Sequence, residues 1–336
     1  MINNIIQRID DLLKKANFET FVLDSFSTKK NTFCFDLLVK IANMVFSVKV
    51  FPNIDNLNPD VINDIKSLSA LLKSKPLLIG IRNRYQKLED NTIYIREDLP
   101  FITLKTLENI LDQDSYPYIL ARRGGGVIYI KGDLMKTIRE NLLISRKKLS
   151  EILGVTKRTV CAYENESMRP SESIANKIAQ ILDCSDIFKR INLFEWNFKF
   201  DIDNEEMHQE DDLNPFEYHL QEILNDIGIS SYWYKKGTIP FNLSIYSKIV
   251  TKDDEHTIFP VFSGISDEEK KLNEPNLRCL SLFKELFNKN TLFIVNNDIR
   301  IPDSLKTNKI PILKIKTLEE VDDEEEFIDL IQESGK

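Results

Sequence analysis

Positive charge is the first chemistry the sequence offers, and it is concentrated. Between Arg122 and Pro170 stand eleven Lys and Arg (Arg122, Arg123, Lys131, Lys136, Arg139, Arg146, Lys147, Lys148, Lys157, Arg158 and Arg169) against five carboxylates (Asp133, Glu140, Glu151, Glu164 and Glu166). That stretch carries +6, so the rest of a chain whose net charge is −8 carries −14. An acidic protein repels polyanions as a whole, but a local basic patch on an acidic body is enough to place a face for DNA. Other chemistries are thinly supplied. Cys34, Cys161, Cys184 and Cys279 form no C-x-x-C pair, and His208, His219 and His256 add no zinc spacing, so the cysteines read as reduced thiols and no cofactor is expected. The run Arg123-Gly124-Gly125-Gly126 lacks the Lys-Ser/Thr of a phosphate loop and leads into the apolar stretch Val127–Ile130, so it reads as a turn.

The elements that would position the cations follow from local pattern. Leu134, Ile138 and Leu142 make one helical stripe. Ser145 is suited to cap a second helix that runs to Leu153 and buries Leu149 with Ile152 or Leu153. Gly154 can take the left-handed conformation of a sharp turn, and Val155 fills the space between two helices. Thr156 caps a third helix with Val160 and Tyr163 on its apolar side. Pro170 closes the next loop, and Ser171 caps a fourth helix that points Ile174, Ile178, Ile181 and Leu182 inward.

This segment, Leu134 to Asp183, resembles the Cro/C1-type (XRE family) helix-turn-helix. The resemblance rests on Ser145 with Leu149, on Leu153-Gly154-Val155-Thr156, on Val160, on Tyr163-Glu164-Asn165 and on Arg169-Pro170-Ser171. It implies that the third helix, about 156–165, enters the major groove of double-stranded DNA. Lys157 and Arg158 then fall at the leading base-facing positions, where a basic side chain suits guanine O6 and N7. Thr159 can reach a phosphate or a thymine methyl, beside Thr156 at the cap, and Ala162 offers apolar contact only. Arg146 stands where the family commonly has Gln and is expected on phosphate, as are Lys147, Lys148 and Arg169. Glu164 and Asn165 match a pair expected to be structural. The family usually dimerises on paired half-sites, so a homodimer is expected.

The flanks read as α/β. Residues 3–17, 58–73 and Thr103–Leu111 have helical spacing; Phe18–Leu23, Thr32–Val39, Met44–Phe51, Pro76–Ile81 and Thr92–Ile95 are strand-like. After seven acids in residues 201–212 the order recurs: a helix at Phe216–Ile227, strands at Ser231–Tyr234, Phe241–Ser247 and Thr257–Phe262, a helix at Leu277–Phe287, a strand at Thr291–Asn296, then Ile310–Ile315. The first copy resembles restriction-endonuclease-like domains, in which an Asp and a Glu/Gln-x-Lys on the next strand hold magnesium. Asp36 and Lys49 sit at fitting places, Ser47 takes the place of the Glu or Gln, and Glu19 or Asp24 could supply a carboxylate. In the second copy Asn242 replaces the Asp, and Phe262 is expected at the place of the Lys.

The expected architecture is therefore α/β plus all-α, two restriction-endonuclease-like α/β units, the second degenerate, flanking a four- to five-helix Cro/C1-type domain. Its parts are 1–122, an α/β domain without activity; 123–200, the helix-turn-helix domain; 201–213, an acidic linker; and 214–336, the degenerate α/β domain. The whole order resembles the archaeal HTH-type transcriptional regulatory proteins. The resemblance implies a cytoplasmic, non-enzymatic regulator with DNA as partner, and a magnesium-dependent, resolvase-like nuclease is the alternative. No apolar run is long enough for a membrane span, the first residues lack a secretion signal, and no residue nominates a small-molecule ligand.

Overall fold

The computed structural model describes residues 2–22, 34–122, 125–196, 198, 200, 213–234, 241–247, 259–266, 277, 280–281, 283–284, 288–301 and 310–334. Expectations for residues 201–212, and for Asp24, Cys279, His208 and His256, lie outside these. Contacts divide the chain into two units. Unit one comprises Met1–Asn17, Lys49–Leu57 and Leu77–Asn197, and unit two comprises Phe18–Val48, Asn58–Pro76 and Phe198–Lys336.

Unit two contains strands β1 (Glu19–Val22), β2 (Leu37–Ile41) and the first half of β3 (Met44–Asn53), in the order β1-β2-β3 and all antiparallel. It also contains helix α2 (Pro59–Leu72), whose N-cap Asn58 accepts from the Asp60 N–H and whose end is a left-handed Lys73. Its second sheet has the order β13-β12-β11-β10-β9, built from β9 (Ile229–Trp233), β10 (Leu243–Ser247), β11 (Val261–Ser266), β12 (Asn290–Val295) and β13 (Ile312–Lys314). Within it β9, β10 and β11 pair antiparallel, and β11-β12-β13 run parallel. The Tyr232 hydroxyl on β9 donates to Asp64 of α2 at 2.7 Å, both residues buried. Desolvation in that pocket, then the Asp64 carboxylate, push the Tyr232 phenol far above its usual range.

The two antiparallel ladders of unit two share one register. Leu37 pairs with Val48, and Leu243 pairs with Ser263. The preceding residues repeat one backbone bond: Asp36 N–H donates to Val48 at 2.7 Å and Asn242 N–H donates to Ser263 at 2.8 Å. This corrects one sequence expectation. Phe262 stands opposite Ser244 as Ser47 stands opposite Leu38, so Phe262 matches Ser47, and the place of Lys49 falls to Gly264.

Unit one holds α1 (Ile2–Lys15), the second half of β3, and then β4 (Lys75–Arg82), β6 (Leu99–Ile102), β5 (Thr92–Arg96), β7 (Ile119–Arg122) and β8 (Gly125–Ile128), in the strand order β3-β4-β6-β5-β7-β8. Helix α3 (Leu104–Gln113), capped by Thr103, follows β6. The short strand β6 was not expected from the sequence. Gly125 and Gly126 of the glycine-rich run belong to β8, which returns antiparallel on β7, and Arg123 and Gly124 lie outside the described residues. Helices α4 (Gly132–Asn141), α5 (Arg146–Leu153), α6 (Lys157–Glu164) and α7 (Glu172–Leu182) follow. They share a core of Met135, Leu149, Leu153, Val160, Tyr163 and Ile178.

This helical core is fastened to the sheet. Ile128 N–H donates to Pro170, Lys131 N–H to Ile187, and Lys189 N–H to Tyr129, at 3.1, 2.7 and 2.7 Å. Ala175 of α7 packs in a second cluster with Ile119 and Ile128 of β7 and β8. With backbone bonds each contributing about 1 kcal/mol net and buried apolar contacts added, the helices have a fixed base rather than a hinge.

Two local expectations are corrected. The buried positions of α4 are Gly132, Met135 and Arg139, and Leu142, expected on the inner stripe, is exposed at the helix end. Ser171 is the N-cap residue of α7, but its hydroxyl bonds the Ser173 hydroxyl (3.2 Å) instead of a helix N–H.

Candidate nucleic-acid interface

Two capped helices joined by a tight turn make the centre of the site. Ser145 Oγ accepts from the Lys148 N–H at 3.1 Å, which satisfies one of the unpaired donors at the start of α5. Gly154 ends α5 with φ +69°, a conformation that strains any side chain with a Cβ. Thr156 Oγ1 then accepts from the Thr159 N–H at 3.1 Å and starts α6. One side of α6 sinks Val160 and Tyr163 into the core.

The opposite side carries the cations. Lys157 and Arg158 are both exposed and enter no ion pair among the described residues. Thr159 is half-buried, and its hydroxyl lies 2.9 Å from that of Thr156. Ala162 is half-buried one turn on, and Thr156 is exposed. Lys147 and Lys148, on the first turn of α5, are exposed. Arg169 is exposed too, with its guanidinium 4.2 Å above the centre of the Tyr129 ring, a cation–π seat that fixes its direction.

Arg146 differs from the other candidates. Its Nε donates to Glu164 Oε2 at 2.7 Å, while Arg139 Nε donates to Glu164 Oε1 at 2.6 Å. The Glu164 side chain is 0% exposed, that of Arg139 5% and that of Arg146 32%. The hydrogen bond to Glu164, and then its charge, raise the Arg146 guanidinium above its usual pKa. Arg139 also donates from Nη1 to the Ile144 carbonyl (2.7 Å) and from Nη2 to Glu140 (3.1 Å), so its charge is spent inside the domain. Gly132 lets α4 approach this cluster: a Cβ there would sit 2.0 Å from the Glu164 carbonyl oxygen.

The sequence marked Glu164 as structural but missed Arg139. A signal was present. Arg139 lies four residues after Met135, on the buried stripe, and a cation on such a stripe requires a carboxylate partner.

The first copy's nuclease-like residues are also placed. Asp36 immediately precedes β2, and Ser47 and Lys49 lie on β3. Ser47 is buried and its hydroxyl finds no hydrogen-bond partner among the described residues. Glu19, opposite Lys40 on β1, is exposed. Among the described residues no three His, Cys, Asp or Glu side chains are grouped to hold a cation. A hydroxyl where a second carboxylate is needed does not fit magnesium, a hard cation that binds through carboxylates. In the second copy Asn242 Oδ1 accepts from the Ile265 N–H (3.0 Å), and a Cβ at Gly264 would lie 2.6 Å from the Phe293 ring. No lysine fits at that position.

Comparison with known proteins agrees with this layout. Residues 2–117 match a PD-(D/E)XK superfamily domain and residues 135–187 match a helix-turn-helix model. A Methanobrevibacter smithii protein named "Putative HTH-type transcriptional regulatory protein" is 29% identical over 335 residues, covering 98% of this chain and 97% of its own. Proteins of the same name from Methanocaldococcus jannaschii (29% over 302 residues; 89% and 88% of the two chains) and Pyrococcus horikoshii (28% over 331 residues; 98% of each) are similar as well. No helix among the described residues is long and apolar enough to cross a membrane. The chain is thus a homologue, over nearly its whole length, of the archaeal proteins named HTH-type transcriptional regulatory proteins, with a PD-(D/E)XK superfamily domain first and a helix-turn-helix in its middle.

Proposed function

We propose that this protein is a non-enzymatic, sequence-specific regulator of transcription that binds double-stranded DNA with α6 in the major groove. One observation carries the reading. Lys157 and Arg158 lie exposed, with no ion pair among the described residues, on the first turn of a capped helix whose other side is core, in a chain of net charge −8. Leaving two adjacent cations unpaired costs self-repulsion, which a phosphate backbone and guanine edges would relieve. Lys157 and Arg158 read bases, Thr159 meets a phosphate or thymine methyl, and Ala162 makes apolar contact. Arg146, Lys147, Thr156 and Arg169 serve the backbone. Segment 123–200 is the DNA-binding domain, 1–122 and 214–336 are the α/β segments, and 201–213 is the linker. One helix-turn-helix covers few base pairs, so two chains act on half-sites about 34 Å apart. The names of the homologues support this reading.

The test is a binding series on duplexes selected in vitro from a random library. Arg158→Ala is expected to cost about 1–3 kcal/mol on the selected duplex and to relax base preference at one position. An equal loss on every sequence would remove base reading by Arg158.

A second reading, a nuclease directed by the helix-turn-helix, is favoured by the PD-(D/E)XK match. Ser47, and the lack of a grouped second carboxylate among the described residues, weigh against it. Supercoiled plasmid with magnesium or manganese separates the two. Cleavage abolished by Asp36→Ala or Lys49→Ala establishes the enzyme, and intact plasmid retains the regulator.

A further inference from the structure

A tight turn at the end of β4 carries cations and an aromatic ring that the helix-turn-helix reading does not use. Asn83 N–H donates to the Gln86 carbonyl at 2.9 Å, and Arg82 bridges Lys87 across the turn. Asn83 Oδ1 accepts from the N–H groups of Tyr85 and Gln86, both at 2.8 Å. Arg84 N–H donates to Asp55 Oδ2 at 3.0 Å, and Arg96 Nε holds Asp55 Oδ1 at 2.5 Å. Arg82 Nε turns back on the Asn83 carbonyl at 3.2 Å. The backbone donors of the tip are therefore spent internally, and its shape is set before any ligand arrives.

What remains outward is Arg84, Tyr85 and Lys87. All three are exposed, and none takes part in a side-chain hydrogen bond, ion pair or ring contact among the described residues. Tyr85 is 85% exposed, the most of any aromatic side chain described. Residues 82–87 contain three cations and no carboxylate, in a chain of net charge −8. A single exposed ring is ordinary. A ring held on a rigid tip between unpaired cations is a specific shape: a flat apolar face with positive charge on either side. Cations alone would suit a duplex backbone. The face adds a surface that a duplex, whose bases are already stacked, leaves unused and that an unpaired base fills.

We propose that this tip binds single-stranded nucleic acid, Tyr85 stacking on one unpaired base while Arg84 and Lys87 meet the flanking phosphates. The ordered turn lowers the entropic cost of binding. The site is independent of the duplex reading of α6.

The experiment uses the full chain carrying Lys157→Ala and Arg158→Ala, which removes the α6 cations, and reads dependence on Tyr85, so its result stands whether or not the helix-turn-helix binds duplex. Fluorescence anisotropy follows labelled oligothymidine of about twelve nucleotides, a duplex of equal length and an oligoglutamate peptide, each over a salt series. Oligothymidine is expected to bind, and Tyr85→Ala to weaken it about five- to a hundredfold. Tyr85→Phe should retain the affinity, because the ring face does the work. Arg84→Ala and Lys87→Ala should each flatten the salt dependence by about 0.7 in log–log slope. The proposal is overturned if Tyr85→Ala leaves oligothymidine binding unchanged or if Tyr85→Phe loses as much as Tyr85→Ala. It also fails if the duplex or the peptide binds as tightly with the same dependence on Tyr85, since the partner is then duplex or an acidic protein. Substitution at an exposed tip leaves the core intact, and circular dichroism of each variant confirms that the fold is kept.

Discussion

The two ends of α6 treat arginine in opposite ways. At its start Arg158, beside Lys157, faces solvent with no partner among the described residues. At its end Glu164 is buried and takes Arg139 on one oxygen and Arg146 on the other. The difference is set by desolvation. A guanidinium withdrawn from water must meet a carboxylate, whereas one left in water needs none and keeps its charge for a ligand. One short helix thus has a structural end and an end held ready for binding, and a substitution at each should fail differently.

Glu164→Gln is the largest expected effect. It leaves Arg139 buried with only the exposed Glu140 as counter-charge, and breaking a buried pair costs about 3–5 kcal/mol. Urea denaturation should show the unfolding free energy fall by that amount, while Arg158→Ala stays within about 0.5 kcal/mol of the parent, as surface changes do. Equal midpoints for the two variants would erase the contrast. Gly132→Ala comes next. Its Cβ would overlap the Glu164 carbonyl oxygen at 2.0 Å, so α4 must move off the end of α6. Overpacking of this kind costs about 1–3 kcal/mol, again read from urea denaturation. A loss confined to DNA affinity, with stability intact, would mean that the α4–α6 contact is softer than it looks.

Local signals were enough to read one end of the helix and not the other. Ser145, Gly154 and Thr156 act within three residues of themselves, so caps and turn could be placed from spacing alone. The Arg139–Glu164 bond joins residues 25 apart, and only the fold brings them together. The same limit explains the misplaced lysine position in the second α/β copy. Residue counting put Phe262 there, but strand register is fixed by pairing, and the connection between β10 and β11 is far longer than the two-residue turn between β2 and β3. Leu99–Ile102 was missed because four residues containing Pro100 resemble a loop, while its partners on β4 and β5 decide that it is a strand. Nothing in the sequence foretold that α2 would hydrogen-bond to β9, since Asp64 and Tyr232 are 168 residues apart.

The smallest expected effect sharpens the contrast from a third position. Leu143 follows α4 with φ +55° and is 93% exposed. Its N–H donates to the Glu140 carbonyl at 2.9 Å, and the next N–H, of Ile144, donates to the Arg139 carbonyl at 3.0 Å. These two bonds are the helix-ending pattern in which the left-handed residue is normally Gly. A leucine there bears a cost of about 1–2 kcal/mol. The strained turn also sets the Ile144 carbonyl where Arg139 Nη1 reaches it, so the buried end of α6 depends on a conformation that Leu143 disfavours. Leu143→Gly should relieve that strain, offset in part by the greater freedom of glycine in the unfolded chain, about 0.5–1 kcal/mol. The net gain is about 0.5–1 kcal/mol in a urea titration, with affinity for DNA unchanged. A variant less stable than the parent would show that the leucine side chain is covered in solution. The turn would then be a contact surface, and the strain would be maintained for that contact rather than for the charges below it.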